Sequence, residues 1–419
     1  MIELAEAIAL VERAAAPLPP RRQRLAEARG RAVATAVVAD CDSPPFDRAM
    51  MDGFAVTAAD GAAAGGGTVE LDVTMDLAAG DVTAARVRPG SCMRIMTGAP
   101  LPPGAAAVVP VECAVDGTAG VHAGGRVRLG DERFRPGQHV ARQGSAFRCG
   151  QEVLRAGDVL TPAALGLAAE AGATHVVAMP RVRVAILSTG SELVPCDALP
   201  AAGQVRNSNG PMLAAACAGL GAEPIELGIV PDRPEALRAL VAQGLAADVL
   251  VLSGGVSAGD LDLVPATFAA CGVERIFHKV RLKPGKPVWF GILRRGDASP
   301  TLVFGLPGNP ASSLVCFELF VRPALAICAG LPREDWHLPS ARAVLAAPAR
   351  PAADRPVYLP CRLVQRGARH EAEPLPWTGS SDLVGLATAT GLIALPAGRN
   401  AHEAGMEVDV LRLRPGVPA

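Results

Sequence analysis

The sequence lacks several features that mark well-known classes of protein. Its 10 cysteines include no Cys-x-x-Cys pair, which disfavours a disulfide scaffold or a zinc knuckle. Lys and Arg number 40 against 41 Asp and Glu, so the chain has no basic excess of the kind that binds nucleic acid. Aromatic residues make up only 3%, with Tyr358 the single tyrosine. We therefore expect buried, free thiols and cores built from Ala, Val and Leu.

No segment of the sequence reads as a targeting or membrane segment. The first 16 residues carry Glu3, Glu6 and Glu12 and predict an amphipathic helix, not a signal peptide. The longest apolar stretch, 312–331, is interrupted by Glu318 and Arg322, which predicts a core helix and not a membrane span. We expect a cytoplasmic protein that binds neither nucleic acid nor membrane.

The length of 419 residues, half of them apolar, predicts several domains. Residues 45–140 hold short β-type runs and predict a small β domain, with a loop tip at 62–67. Between 179 and 330, apolar β runs alternate with helical patterns, which predicts a three-layer α/β domain with a mostly parallel sheet. Residues 331–419 return to short strands and predict a small β barrel. Residues 1–44 and 141–178 together predict an extended helical and strand connector, in which Thr161 caps a helix that Gly172 ends.

Ligands of open parallel sheets bind at the carboxyl ends of the strands. Four predicted strand ends carry loops of unusual content: STGSEL (188–193), GIVPDRPE (228–235), SGGVSAGDLD (253–262) and GLPGNPASS (305–313). The sequence therefore predicts a ligand site at this edge of the α/β domain.

The loop SGGVSAGD has the composition of an anion-binding turn. Gly254 and Gly255 allow a tight turn with free amides, and Ser257 adds a hydroxyl before a helix. An ordinary strand-to-helix turn has the same composition and stays an open alternative.

Carboxylates follow the same strand ends. Beside a phosphate site they require a hard cation, and oxygen ligands suit Mg²⁺. Asp232 also suits a helix N-cap just before Pro234, which is the structural alternative. The candidates are Glu192, Asp232, Asp260 and Asp262.

The run HKVRLKPGKP places Lys279, Lys283 and Lys286 near a further turn, where they could hold anionic oxygens. A solvated lysine-rich loop is the alternative. Pro307 and Pro310 bracket a rigid loop that could shape a pocket or simply end a strand.

Two segments stand out in the small β domain: FDRAMMDGFAV (46–56) and RIMTGAP (94–100). Asp52-Gly53 and Thr97-Gly98 are common turn pairs, and the residues alone favour a structural role for both.

Taken in order, these motifs resemble the molybdopterin molybdenumtransferase family, to which the gephyrin E domain is related. The resemblance rests on the two β-domain segments and on LSTGSELV, QVRNSNGPML, LGIVPD, LSGGVSAGDLD, LKPGKP, GLPGNPASS and the tail WTGSSDLVGLATATGLIALPAG. Each motif is weak alone, but their order along nearly the whole chain is specific.

The resemblance implies a reaction and an assembly. The reaction is the insertion of molybdate into adenylyl-molybdopterin, which yields molybdenum cofactor and AMP with the help of Mg²⁺. The assembly is a homodimer in which Asp52 and Thr97 reach the partner's cleft, with molybdopterin adenylyltransferase and molybdoenzyme maturation factors as possible further partners.

The resemblance also implies roles for the site residues. Catalysis would involve Asp52, Thr97, Glu192, Asp232, Asp262, Lys279 and Lys283, and Glu192 and Asp262 would hold the metal. Binding would involve Gly254, Gly255, Ser257, Asp260, Lys286, Pro307, Pro310 and Ser380.

The sequence departs from the family after the small β domain. Family members carry a Gly-Glu-Asp stretch there, whereas this chain has Ser145 and Ala146 in place of the acids and keeps Arg142. Phe54 replaces a common tyrosine. The departure favours one rival, a non-catalytic paralogue that binds or carries the cofactor, while the retained Glu192, Asp232 and Asp262 favour the enzyme.

Overall fold

A six-stranded sheet forms the centre of the α/β domain. In the computed structural model, which describes residues 1–256, 263–296, 298–350 and 354–413, its strands in spatial order are Glu223–Val230, Arg183–Thr189, Val249–Ser253, Ala298–Leu306, Trp289–Arg295 and Glu274–His278. The first four run parallel, and Trp289–Arg295 is antiparallel to both of its neighbours. The predicted α/β fold with a mostly parallel sheet is confirmed.

Helices cover both faces of this sheet because successive strand residues point to opposite faces and nearly all are apolar. Val184 and Ile186 belong to one core cluster, whereas Ala185 and Leu187 belong to the other. The helices are Asn209–Gly219, Pro234–Gly244, Leu263–Ala270, Pro310–Cys316 and Arg322–Cys328, with a π-helical turn Phe317–Val321 between the last two.

The apolar stretch Pro310–Cys328 is long enough to cross a membrane, with a mean hydropathy of 1.6, but 89% of it is buried inside the protein. Within it, the buried Glu318 pairs with Arg322 one turn on. The prediction of a core helix is confirmed.

The connector combines helices Leu4–Ala14 and Pro162–Glu170 with short antiparallel pairs. These pairs join Arg21–Arg24 to His175–Ala178 and Val37–Val38 to Glu152–Leu154. Thr161 caps its helix by accepting a hydrogen bond from the Ala164 amide at 3.2 Å, as predicted.

The small β domain is a five-stranded sheet in the spatial order Ala107–Pro110, Gly53–Val56, Ser91–Ile95, Val69–Leu77 and Arg126–Leu129. The predicted loop at 62–67 is wrong in part, because helix Ala58–Gly65 occupies most of it. Thr57 starts this helix by accepting a hydrogen bond from the Asp60 amide, and the small alanines allow it to pack on the sheet.

The C-terminal region forms a closed five-stranded barrel of Ser340–Leu345, Val357–Arg366, Arg369–Pro374, Gly391–Leu395 and Glu407–Arg412, with a short helix Val384–Thr388. The predicted barrel is confirmed. The domain boundaries at residues 44, 140, 178 and 330 stay predictions.

The cysteines are all free, but they are not all buried. Cys41, Cys149 and Cys196 are exposed, so the expectation of buried thiols is wrong for these three.

Candidate active site

A cleft of about 1110 Å³ lies at the carboxyl ends of the parallel strands, between the α/β domain and one end of the barrel. This position is where open parallel sheets bind ligands. The cleft brings together many of the predicted residues: Glu192, Asp232, Gly254, Gly255, Lys283, Lys286, Pro307, Pro310 and Ser380.

Other predicted residues are not among those that line the cleft. Lys279 lies nearby in the sequence but outside the lining. Asp52 and Thr97 lie in the small β domain, which contributes no residue to the lining in this chain. Ser257, Asp260 and Asp262 lie outside the described residues.

Asp232 holds the turn after the first strand of the domain. Its two carboxylate oxygens accept hydrogen bonds from the Thr189 hydroxyl at 2.8 Å and the Ser191 amide at 3.1 Å. The helix that follows has Arg233, not Asp232, at its N-cap position. The N-cap alternative is therefore wrong, and Asp232 instead fixes the loop that carries Glu192.

Glu192 lies directly over the backbone of this loop. A β-carbon built on Gly190 would come within 2.6 Å of the Glu192 Oε2 atom, so glycine leaves the space that the carboxylate occupies. The carboxylate has no hydrogen-bond or ion-pair partner within the described part of the chain.

The Gly254-Gly255 turn requires glycine at both positions. Their φ values are +95° and +61°, and a β-carbon on Gly254 would lie 2.4 Å from the Thr189 carbonyl oxygen. The Gly254 amide donates to the Leu306 carbonyl at 3.0 Å, so the expectation that both amides are free is wrong for Gly254. Among the described residues, the Gly255 amide has no acceptor and stays available to a ligand.

Lys279, Lys283 and Lys286 are the only lysines in the chain; arginine supplies the rest of the 40 basic residues. Lys283 and Lys286 line the cleft, and neither has a carboxylate within ion-pair distance among the described residues. The Lys283 backbone is tied to the barrel, because its amide donates to Pro356 and its carbonyl accepts from Tyr358, both at 2.9 Å. All the lysine of the chain thus lies within eight residues, 279–286, and this concentration is itself a signal in the sequence.

The barrel contributes a further cation and closes one side of the cleft. Arg355 lines the cleft, and its guanidinium pairs with the Asp354 carboxylate at 2.5 Å. Ser380 accepts a hydrogen bond from the Asn309 side-chain amide at 2.8 Å, and its carbonyl accepts from the Ala311 amide. No sequence pattern indicated Arg355.

Asn209 is a second residue that sequence analysis missed. It is only 8% exposed, lines the cleft, and donates through its side-chain amide nitrogen to the Gly308 carbonyl at 2.8 Å. That bond fixes which way the amide points. Its Oδ1 atom is buried and has no partner among the described residues, which is a costly arrangement unless a ligand supplies the donor.

Asp52 and Thr97 contact each other across the small β domain. The amide and hydroxyl of Thr97 both donate to Asp52 Oδ1 at 2.7 Å. These hydrogen bonds, first the one from the amide and then the one from the hydroxyl, lower the pKa of the Asp52 carboxyl below its usual range. Asp52 is therefore an exposed carboxylate, held in one orientation.

The segment that departs from the family pattern keeps an acid near its arginine. Arg142 pairs with the Asp47 carboxylate at 2.5 Å, and the Gln143 amide donates to the same carboxylate at 2.8 Å. Partial burial alone would raise the pKa of Asp47, but these hydrogen bonds prevail and lower it. Asp47 thus supplies a charge beside Arg142 where Ser145 and Ala146 supply none.

Comparison with known proteins assigns most of the chain. Residues 2–172 match the MoeA N-terminal region (domain I and II), residues 185–327 match the "probable molybdopterin binding domain", and residues 342–413 match the MoeA C-terminal region (domain IV). The α/β domain with its cleft is therefore a domain of the molybdopterin-binding type.

Curated relatives carry the same architecture. The chain is 39% identical to molybdopterin molybdenumtransferase 2 of Mycobacterium tuberculosis over 77% of this chain and 78% of that protein. It is 35% identical to molybdopterin molybdenumtransferase of Synechococcus elongatus over 96% and 97% of the two chains. The crystal structure of the molybdopterin biosynthesis MoeA protein of Pyrococcus horikoshii OT3 superposes with a TM-score of 0.77 at 26% identity, covering 98% of this chain and 100% of that one. The chain belongs to the molybdopterin molybdenumtransferase family.

Proposed function

We propose that this chain is a transferase of molybdenum cofactor synthesis that inserts molybdate into adenylyl-molybdopterin and releases AMP. The observation that carries the proposal is the convergence of Lys283, Lys286 and Arg355 on one cleft with two carboxylates. Molybdate and a phosphoanhydride are both oxyanions, and cations in a partly enclosed site stabilise them strongly.

The cleft is large enough for a dinucleotide-sized substrate. Its volume of about 1110 Å³ exceeds the roughly 300–1,000 Å³ that is usual for small-molecule pockets, and a pterin joined to AMP needs that room. The unpartnered Oδ1 of Asn209 accepts a hydrogen bond from an N–H group of the pterin or the adenine. Its bond to Gly308 prevents the amide from turning away.

The phosphoanhydride binds between the Gly255 turn and the lysines. The ammonium groups of Lys283 and Lys286 neutralise charge on the departing AMP. The Gly255 amide, which has no acceptor among the described residues, donates to a phosphate oxygen. Lys279, which lies outside the lining, contributes through the field of the cluster and not by contact.

Mg²⁺ fits the residues on one side of the cleft. The described part of the chain contains no group of three or more metal-binding side chains. Mg²⁺ nevertheless needs only one or two carboxylates when substrate phosphates complete its shell. Glu192 has no partner among the described residues and could bind it, whereas each oxygen of Asp232 already accepts one hydrogen bond. When bound, Mg²⁺ withdraws charge from the phosphoanhydride oxygens.

A homodimer would complete the site. Asp52 is an exposed carboxylate that Thr97 holds in one orientation. Neither residue lines the cleft of its own chain. In a two-fold symmetric pair, each small β domain would present this acid to the partner's cleft. Molybdopterin adenylyltransferase would supply the substrate, and molybdoenzyme maturation factors would receive the product.

The test is a reconstitution with purified protein, adenylyl-molybdopterin, molybdate and Mg²⁺. The proposal predicts stoichiometric AMP release and a product that activates a molybdenum-free apo-molybdoenzyme. Lys283→Ala is the matched control and should abolish both. Tight retention of the pterin with no AMP release, even at high molybdate, would establish the carrier paralogue instead.

A further inference from the structure

Two exposed cysteines, Cys41 and Cys149, lie near each other where the chain passes between the connector and the small β domain. The first passage runs through residues 39–43 and the second through 147–151. Ser43 pairs with Phe147 in an antiparallel bridge, with the amide of each donating to the carbonyl of the other. Further along, the Ala39 amide donates to the Gln151 carbonyl and the Ala39 carbonyl accepts from the Gly150 amide, both at 2.9 Å.

Cys41 and Cys149 lie between these two pairings, where the regular ladder is interrupted. Cys41 lies in a bend, and Cys149 lies in a turn that the Gln151 amide closes by donating to the Arg148 carbonyl at 3.0 Å. The pairings hold the two segments side by side, and the two thiols are near enough to interact electrostatically. A disulfide joins residues whose Cα atoms are usually about 4.4–6.8 Å apart, so it requires neighbouring segments of this kind.

Side-chain contacts agree with this placement. Cys149 Sγ lies 3.3 Å from the carbonyl oxygen of Asp40, the residue bonded to Cys41. The Asp42 carboxylate accepts the Cys149 amide at 2.9 Å and so holds the second passage against the first. Both thiols are exposed, so a small oxidant reaches them.

We propose that Cys41 and Cys149 form a reversible disulfide that fastens the two passages between the connector and the small β domain. The oxidant is a low-molecular-weight disulfide, RSSR. The Cys149 thiolate attacks one of its sulfurs, forming Cys149–S–SR and releasing RS⁻. The Cys41 thiolate then attacks Cys149 Sγ and displaces the second RS⁻. Two thiols lose two electrons, and their two protons leave with two RSH molecules.

The surroundings of Cys41 affect its reactivity. A hydrogen bond with Asp40, followed by slight burial and the nearby acids, raises the pKa of the Cys41 thiol. A raised pKa lowers the thiolate fraction, and in the intramolecular second step proximity compensates for that.

The disulfide would limit how the small β domain moves relative to the connector. That domain carries Asp52 and Thr97, so oxidation would alter how this pair is presented to a neighbouring protomer. Formation of the bond itself does not depend on the reaction proposed above, and the two hypotheses can fail separately.

The experiment treats the full-length protein with bis(2-hydroxyethyl) disulfide and maps tryptic peptides without reduction. We expect residues 32–48 joined to residues 149–155, with the joined mass two hydrogens below the sum of the free peptides. Exposed Cys196 is the internal control and should carry a mercaptoethanol adduct. Cys41→Ser should leave the same adduct on Cys149.

Amide hydrogen exchange tests whether the disulfide restrains the two passages. Oxidised protein should show amide hydrogen exchange slower by on the order of tenfold in 39–43 and 147–151, which reverses on reduction and is absent in Cys41→Ser. Separate adducts on Cys41 and Cys149, or crosslinks of either to Cys196, would overturn the proposal. If the disulfide forms but amide hydrogen exchange in the two passages does not change, the disulfide does not fasten them.

Discussion

Thr97 donates both its amide and its hydroxyl to a single oxygen of Asp52, each at 2.7 Å. The two residues are 45 positions apart, so the sheet itself brings them together. Because both donors favour the charged form, the carboxyl has a lowered pKa.

The contact between Thr97 and Asp52 leads to a prediction about the pH at which the Asp52 carboxyl titrates. A carboxyl with a lowered pKa contributes stability above the pKa it has in the unfolded chain, and that contribution is lost as pH falls through the folded value. Thr97→Val removes the hydroxyl donor and keeps the amide, so the pKa of Asp52 should rise towards that of a free aspartate. A ¹³C carboxyl NMR titration, assigned with Asp52→Asn, measures it. Thr388→Val is the control and should not move the Asp52 midpoint; a midpoint that stays low in Thr97→Val contradicts the assignment.

The proposed dimer predicts complementation between two inactive variants. Asp52→Asn damages the small β domain side of a shared site, and Lys283→Ala damages the cleft side. In mixed dimers one site carries both changes and the other carries neither, so random pairing restores about a quarter of wild-type activity. Co-expression with two different tags allows the mixed species to be isolated. Activity no higher than that of the separate variants would place both residues in the site of one chain.

We expect a bound ligand to protect two of the three lysines from chemical acetylation. AMP with Mg²⁺ at ten times its Kd should slow acetylation of Lys283 and Lys286 by on the order of tenfold. Lys279 lies outside the cleft lining and should react at the same rate with or without the ligand. Mass spectrometry reads all three sites in one peptide region. Equal protection of all three would indicate a general conformational change and not contact.

Asn209 predicts a binding defect that can be separated from stability. Asn209→Leu keeps the approximate size but removes both the Oδ1 acceptor and the donor to Gly308. A neutral hydrogen bond is worth about 0.5–1.5 kcal/mol, so loss of the acceptor should lower affinity about two- to tenfold. Fluorescence titrations with a free pterin and with AMP show which of the two the residue recognises. Ser313→Ala is the matched control, because within the described part of the chain its buried hydroxyl also lacks a partner, and it lies outside the cleft lining. Unchanged affinity for both ligands would exclude the role.

The Gly254 turn predicts a loss of stability. Gly254→Ala combines a positive φ with a β-carbon 2.4 Å from the Thr189 oxygen, so unfolding free energy should fall by about 2 kcal/mol or more. Gly203 has a similar φ of +80° with open space around it, and Gly203→Ala should cost only about 1 kcal/mol. Urea denaturation compares the two. Equal losses would mean that the contact with Thr189 relaxes at no cost.

Much of the fold could be predicted from the sequence because its strongest patterns are local. Continuous apolar strands such as Val249–Ser253, alternating with helices, predict a parallel sheet, and the sheet rule then predicts the edge that binds ligands. Glu192 and Lys283 reach the cleft for that reason. The local pattern failed where composition and structure disagree. The glycines of the alanine-rich segment Ala58–Gly65 are typical of a loop, but the segment forms a helix.

The missed site residues depend on contacts between distant parts of the chain. Arg355 reaches the cleft because the barrel packs against the sheet domain, and no local pattern encodes that contact. Asn209 stands out only once its burial and its bond to Gly308 are known. The Asp232 N-cap interpretation failed because the Asp232 carboxylate accepts from Thr189 and Ser191, more than 40 positions earlier, and not from its own helix.

The small β domain leaves the connector and returns to it at neighbouring points, as the Ser43 to Phe147 bridge records. A segment whose two ends meet can be shortened, exchanged or replaced without moving anything on either side of it. Evolution can therefore remodel this insert to suit a new neighbour while the rest of the protein keeps its shape.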